Sequence, residues 1–186
     1  MTAPSSAADA DCMTRLRRGD DLALNELMDR WQTPLATFLF RYSGNEAAAM
    51  DLAQETFVRV YENRHAFRGG TFSSWLFSIA TNLCKNHARW QARHPTVPLD
   101  AEGFQEIASA AASPSEQAVS EELATAVRDA VHGLPHDLKT VTLLFEYQEQ
   151  SHSEIAAALG CTPKAVETRL YRARQILRER LARWMA

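Results

Sequence analysis

The chain has 186 residues, of which 46% are apolar and 23% are charged, a composition typical of a globular protein and unlike that of a disordered, collagen-like or membrane-embedded one. Its formal net charge of -3 excludes a uniformly basic surface, so any binding to nucleic acid must use local patches. The three cysteines lie far apart and are odd in number, which argues against a disulfide framework and fits a reducing cytoplasm.

The N-terminal residues 1–10 are rich in Ala and Ser, and we predict that they are disordered. They lack the positive-then-apolar order of a signal peptide, and no apolar run approaches the ~18 residues that a membrane span needs. We therefore expect a cytoplasmic protein without membrane insertion.

A first helical domain is predicted over residues 11–95. Residues 22–42 form one helical stretch with a potential kink at Pro34, and residues 45–63 form the next, with apolar side chains at steps of three and four. The sequence Arg68-Gly69-Gly70 then indicates a loop. Thr71 or Ser73 can cap a further helix that runs towards Trp90.

Residues 95–117 lose the periodic pattern and contain three prolines, four acids and no basic residue, so we predict a flexible linker over residues 96–118. Its 23 residues could span roughly 75 Å when extended, at about 3.3 Å per residue. A second helical domain follows over residues 119–186. With no alternating strand pattern, the fold class is all-α, as two small helical domains on a tether.

The second domain ends in a helix-turn-helix pattern. Residues 153–159 form a short helix closed by Gly160, and Thr162-Pro163 restart the chain with a capping hydroxyl and a proline at the first helical position. Two helices joined by such a short turn form a DNA-reading unit. The second helix buries one apolar stripe and leaves cations, hydroxyls, an amide and an aromatic ring on the opposite face. Residues 169–183 contain six arginines and one acid. The competing interpretation is a solvated, salt-bridged final helix.

Two features of the first domain suggest binding surfaces. Asp51, Gln54 and Glu55 lie on one polar face of their helix, which suits a basic protein surface, although any amphipathic helix must place polar residues outside. Aromatic, cationic and amide side chains occur together between residues 67 and 93, as binding to single-stranded bases requires. Phe72, Trp75 and Ile79 have the spacing of core residues, so Phe67 and Asn82 are the better candidates.

The ordered set of motifs resembles the sigma-70 family of bacterial transcription initiation factors, specifically its short extracytoplasmic-function group with the second and fourth sigma domains. The residues that carry the resemblance are DLAQETFV (51–58), FRGG (67–70), WLFSIATN (75–82), Leu134-Pro135, EIAAALG (154–160) and AVETRLYRAR (165–174).

The resemblance implies a promoter-specificity subunit without enzymatic activity or cofactor. It implies three sites, the first a core polymerase-binding surface at Asp51, Gln54 and Glu55. The second, for the minus-ten element with its flipped base, comprises Phe67, Arg68, Asn82, Lys85, Asn86 and Arg89. The third, for the minus-thirty-five element, comprises Lys164, Glu167, Thr168, Arg169, Tyr171, Arg172 and Arg174. The implied partners are core RNA polymerase, promoter DNA both as duplex and as melted strand, and an anti-sigma factor.

Glu167 departs from the family, which often has a cation there, and a carboxylate cannot bind phosphate although it could accept from cytosine N4. Other chemistry finds little support in the sequence. The sequence has no Gly-rich phosphate loop with Lys-Ser/Thr, so it does not indicate ATP-driven DNA opening. It has no nucleophile motif of an enzyme. Cys84 and His87 form a C-x-x-H pair, but no second pair is present to complete a metal site. Two alternatives remain: a stand-alone helix-turn-helix repressor, and a sigma mimic that only sequesters an anti-sigma partner.

Overall fold

The structure, a computed structural model, describes residues 6–94 and 114–184, and the side chains at residues 6 and 114–120 are not among the parts described. In these two ranges all regular elements are helical, which confirms the all-α fold class. The α-helices are α1 (Ser6–Arg17), α2 (Leu22–Ser43), α3 (Glu46–Glu62), α4 (Phe72–Arg93), α5 (Pro114–His132), α6 (His136–Glu146), α7 (His152–Leu159) and α8 (Pro163–Arg180). Short 3₁₀ turns cover Arg64–Ala66 and Ala182–Trp184.

The N-terminal module, α1 to α4, is built around an aromatic core. α2 buries residues that recur at steps of three and four, so that one face of the helix is apolar. Trp31 of this face makes edge-on contacts with Phe72 and Phe77 of α4, at ring-centroid distances of 6.0 and 6.2 Å. Pro34 lies inside α2, which continues through it to Ser43. The predicted helical stretch is thus a single helix.

Local capping determines where the helices begin. The Asn45 side chain accepts a hydrogen bond from the Ala48 backbone N–H at the start of α3. Thr71, one of the two caps predicted from sequence, accepts from the Ser74 N–H at the start of α4. Such caps satisfy backbone donors that the first turn of a helix leaves without a partner.

The disorder predicted for residues 1–10 is wrong for residues 6–10, which form the start of α1. The reason is a buried polar contact: the Asp9 carboxylate accepts a hydrogen bond from Trp31 Nε1 at 3.1 Å and pairs with Arg30 at 3.2 Å. Burial raises the pKa of Asp9, and the hydrogen bond from Trp31 and the Arg30 charge oppose that shift. A composition rich in Ala and Ser does not reveal this anchor.

The C-terminal module consists of α5 to α8, with α6 and α7 packed against α8, the second helix of the helix-turn-helix. α5 begins at Pro114, so residues 114–118 of the predicted linker are helical. Residues 95–113, which hold the rest of that prediction, lie outside the described residues.

The two modules pack against each other, and their buried apolar side chains form one continuous cluster. α4 lies along α7, and α2 contacts α6. The Tyr42 hydroxyl is 2.7 Å from His136 Nδ1, and Ser74 Oγ donates to the Glu154 carbonyl at 3.1 Å. The sequence predicted two domains on a tether and contained no signal for this contact.

Candidate nucleic-acid interface

The outward face of α3 carries the residues predicted to bind polymerase. Asp51 and Gln54 are exposed, and the half-buried Glu55 pairs with Arg59 at 2.7 Å. Met50 and Val58 on the same face are 57% and 48% exposed, so the surface combines carboxylates with apolar side chains, as protein-binding patches do. Sequence reasoning missed these two residues, although their position outside the buried stripe of α3 was a usable signal.

The loop between α3 and α4 carries Phe67 with its ring turned towards the core. Phe67 is 6% exposed, and its ring lies 5.2 Å from that of Trp75. The ring packs into the core beside Trp75 and anchors the loop there. A contact of Phe67 with a promoter base stays a prediction. Arg68, Gly69 and Gly70 are exposed beyond that anchor.

The outward face of α4 presents the other residues assigned to the minus-ten site. Asn82, Lys85, Asn86 and Arg89 are all exposed. No acidic residue occurs between Glu62 and Asp100, so no carboxylate from this stretch competes with a phosphate for these cations.

Asn82 and Lys85 also border a cleft between the modules. The cleft has a volume of about 430 Å³, and its opposite wall includes His136 of α6, Gly160 at the end of α7 and Arg169 of α8. This part of the α4 face therefore lies beside the C-terminal module in the structure.

Both helices of the helix-turn-helix begin at a side-chain cap, and a glycine forms the turn between them. Ser151 and Glu154 form a capping box at the start of α7, each side chain bonding the other's backbone N–H. Gly160 ends α7 in the left-handed conformation, with φ 60° and ψ 40°, and Thr162 caps α8 by accepting from the Ala165 N–H. Glycine suits this position because a side chain destabilises the left-handed conformation.

The helix α8 buries Val166, Leu170 and Ala173 and so presents the opposite face to solvent. Tyr171 is 64% exposed there, and Thr168 and Arg172 are exposed beside it. This face offers a ring, a hydroxyl and a cation for base edges and phosphates.

Two arginines of the predicted minus-thirty-five set turn towards α6 instead. Arg169 lies 3.9 Å from the Asp137 carboxylate, and Arg174 bonds Glu146 at 3.2 Å. Arg174 also lies over the Phe145 ring, 5.5 Å from its centroid. Both arginines contact α6, which sequence spacing did not indicate.

Glu167, the departure from the family pattern, pairs with Lys164 at 2.8 Å. The hydrogen bond from Lys164 lowers the pKa of the Glu167 carboxyl, so Glu167 is charged at neutral pH. The Lys164 ammonium is therefore already paired at the start of the recognition helix.

Within the described ranges, no group of three or more His, Cys, Asp or Glu residues could hold a metal ion. Across those same ranges, none of the helices combines the length and apolarity of a membrane span. Cys12, Cys84 and Cys161 are all free thiols.

Comparison with known proteins places both modules in one family. The family model for sigma-70 region 2 matches residues 27–94, and that for sigma-70 region 4 matches residues 124–177. The chain therefore belongs to the sigma-70 family of transcription initiation factors.

Its relatives are extracytoplasmic-function (ECF) sigma factors. It is 34% identical to the ECF RNA polymerase sigma-E factor of Haemophilus influenzae over 93% of this chain and 95% of that one. It is 31% identical to the RNA polymerase sigma-H factor of Pseudomonas aeruginosa over 91% of each chain. The chain is an RNA polymerase sigma factor of the ECF group, acting in promoter recognition, DNA opening and transcription initiation.

Solved structures show the same fold. CnrH in complex with the cytosolic domain of CnrY matches with a TM-score of 0.71 and 27% identity, over 94% of this chain and 97% of CnrH. The sigma factor RpoE of Bartonella quintana, in complex with the anti-sigma factor NepR, matches with a TM-score of 0.66 and 21% identity, over 85% of this chain and 96% of that one.

Proposed function

We propose that the chain directs core RNA polymerase to promoters through three separate surfaces. The α3 face binds a basic surface of the polymerase, the loop after α3 together with the α4 face holds the melted minus-ten strand, and α8 reads the minus-thirty-five element in the major groove. The observation that carries the proposal is the recognition helix, with Tyr171, Thr168 and Arg172 exposed opposite its buried stripe. Direct contacts of this kind read duplex DNA.

DNA opening in this proposal uses binding energy. Capture of an extruded base offsets an unstacking cost of a few kcal/mol, and the sequence contains no phosphate loop that would couple opening to ATP. The phosphoryl-transfer chemistry belongs to the polymerase, and the chain has no enzymatic activity of its own.

The test of the proposal is transcription from a genomic DNA library by core polymerase, with and without this protein, with the start sites mapped. New start sites preceded by shared sequence elements are expected with the protein. Initiation at the same sites in both reactions would contradict the proposal. Tight, sequence-specific duplex binding by the chain without polymerase would favour the repressor alternative.

The α3 surface has its own test. Asp51→Ala with Glu55→Ala removes two carboxylates from the α3 face and should weaken association with core polymerase in a pull-down. Glu121→Ala with Glu122→Ala on α5 is the matched control, since it makes the same charge change at two exposed positions of the other module. Equal retention of both double variants would contradict the assignment.

For the minus-ten site, Asn82→Ala is a better probe than Phe67→Ala. Truncating the buried Phe67 ring costs about 3–5 kcal/mol of stability, which would confound any effect on DNA opening, whereas Asn82 is exposed. Asn82→Ala should leave polymerase binding intact and reduce permanganate reactivity of promoter thymines. Unchanged reactivity would remove Asn82 from the site.

An anti-sigma factor is the proposed regulatory partner. The support is that Bartonella quintana RpoE, a structural neighbour, is bound to the anti-sigma factor NepR. Co-purification of the tagged chain from its own cells, followed by transcription with and without the captured protein, tests this. The captured protein should inhibit transcription, and capture without inhibition would argue against such a partner.

A further inference from the structure

The cleft between the modules has the size and the polar lining of a small-molecule site. Its volume of about 430 Å³ falls within the range of about 300–1,000 Å³ that such sites occupy. One wall is formed by α4, with Asn82 and Lys85. The opposite wall includes His136 and Asp137 of α6 and Arg169 of α8. The three surfaces proposed above do not account for this space.

The charges that line the cleft favour an anion. Lys85 and Arg169 reach it from opposite walls, and Asp137 alone of the described lining residues is acidic. Arg169 lies 3.9 Å from Asp137, whereas Lys85 has no ion-pair partner within the described ranges. The C-terminal end of α7 adds a partial negative charge of about half a unit, which is smaller than the full charge on Lys85. The lining as a whole is therefore cationic.

Arg169 keeps hydrogen-bond donors for a ligand. Its Nη2 lies at the outer limit of an ion pair with Asp137, and its Nη1 donates to the Cys161 sulfur at 3.7 Å. Sulfur is a weak acceptor, and a guanidinium has five N–H donors in a planar fork. Such a fork can bind two oxygens of one phosphate, while the ammonium of Lys85 acts as a point charge. The two side chains together suit a phosphate group.

His136 supplies a further donor. Its Nδ1 lies 2.7 Å from the Tyr42 hydroxyl, which leaves Nε2 as the ring nitrogen for a ligand. Burial raises the pKa of Tyr42, so the hydroxyl keeps its proton and can donate it to Nδ1. A neutral imidazole then carries its own proton on Nε2 and can donate it to an anion. Burial lowers the pKa of His136, and the charges of Lys85 and Arg169 add to that shift, so both cations act on this ring.

We propose that this cleft binds a small phosphorylated compound, with the phosphate held between Lys85 and Arg169 and bonded by His136 Nε2. Asp137 lies in the same lining and accepts a hydrogen bond from a hydroxyl or amino group elsewhere in the compound. Occupancy withdraws Lys85 and Arg169 from promoter DNA. That consequence rests on the proposed function, whereas the binding itself does not.

Isothermal titration calorimetry of the full chain with pyrophosphate, at fixed ionic strength, tests the site. Lys85→Gln with Arg169→Gln should weaken binding at least tenfold, since a hydrogen bond to a charged group contributes a factor of about ten or more. Arg93→Gln with Arg178→Gln is the matched control. It removes two cations from the same two helices, at exposed positions outside the cleft, and should bind pyrophosphate as the wild type does.

Removing the carboxylate gives a gain of binding, which a misfolded variant would not show. Asp137→Asn should tighten pyrophosphate binding several-fold, because the acidic side chain that opposes the anion is gone. Glu146→Gln is the control for this change. It removes another α6 carboxylate that pairs with an arginine of α8, Arg174 at 3.2 Å, but it lies outside the cleft. Its affinity should equal that of the wild type.

Several results would overturn the proposal. One is the absence of pyrophosphate binding at millimolar concentrations, including the case in which a single-stranded oligonucleotide does bind and the cations serve DNA alone. Another is an equal loss in the cleft variant and its control, which would indicate unspecific attraction. A third is an Asp137→Asn variant that binds no more tightly than the wild type. If the helical content of the cleft variant falls, Lys85→Gln compared with Arg93→Gln takes its place and is judged in the same way.

The calorimetry requires no polymerase, so it separates this site from the sigma function. A chain that binds pyrophosphate in the cleft but directs no transcription would refute only the proposed function. A chain that directs transcription but binds no pyrophosphate would refute only the cleft site.

Discussion

Replacing Gly160 with alanine tests how the helix-turn-helix turn is stabilised. Gly160 has a φ of 60°, and a Cβ built there meets no atom within 4 Å. No steric clash therefore adds to the cost, which reduces to that of placing a side chain in the left-handed conformation, about 1–2 kcal/mol. Gly160→Asn should recover most of that loss, since asparagine tolerates this conformation better than alanine does.

The assay is urea unfolding followed by circular dichroism, with the slope against urea compared among the three proteins. A change in midpoint at constant slope reports stability. The expected order of stability is wild type, then Gly160→Asn, then Gly160→Ala. An alanine variant as stable as the wild type, or an asparagine variant no better than alanine, would refute the reasoning that backbone conformation alone selects glycine here.

Two further predictions concern charge. Glu167→Gln removes the partner of Lys164 and a negative charge near the DNA phosphates. Duplex affinity should therefore rise at low salt, and its salt dependence should steepen by about one unit. Fluorescence anisotropy at several salt concentrations measures both quantities, and an unchanged slope would place Lys164 outside the interface. Acid should weaken the contact between the modules, because burial lowers the pKa of His136, with the charges of Lys85, Lys139 and Arg169 acting in the same direction and Asp137 opposing the shift. The stability that neutral His136 contributes to this contact is complete above its ordinary pKa of about 6.5 and declines as pH falls below it. The urea midpoint should fall between pH 7.5 and 5.5 by more in the wild type than in His136→Ala, and equal falls would exclude His136 as the cause.

Several helices and their ends could be predicted from the sequence because the forces that define them act over three to four residues. The caps at Thr71 and Thr162 and the glycine at the end of α7 are visible as residue types at fixed spacings. The buried stripe of α8 follows from its apolar period in the same way. These features also carried the family resemblance.

Tertiary structure decided which neighbours the expected site residues contact. The motif position of Phe67 suggested a base contact, yet packing against Trp75 buries its ring. Arg169 and Arg174 pair with carboxylates on α6, and Arg174 remains exposed like Arg172, which lies on the same helix. Spacing along one helix could not show these differences, because the neighbouring element selects which cations it pairs.

The sequence by itself determined the all-α fold class, the turn between α7 and α8 and the resemblance to the family, but not the start of α1 or of α5. The contact between the modules was decided by the tertiary structure. Tyr42 and His136 are separated by 94 residues, and Ser74 and Glu154 by 80. Hydrogen bonds between residues so far apart leave no period in the sequence, since each residue, taken alone, is an ordinary polar position on its own helix.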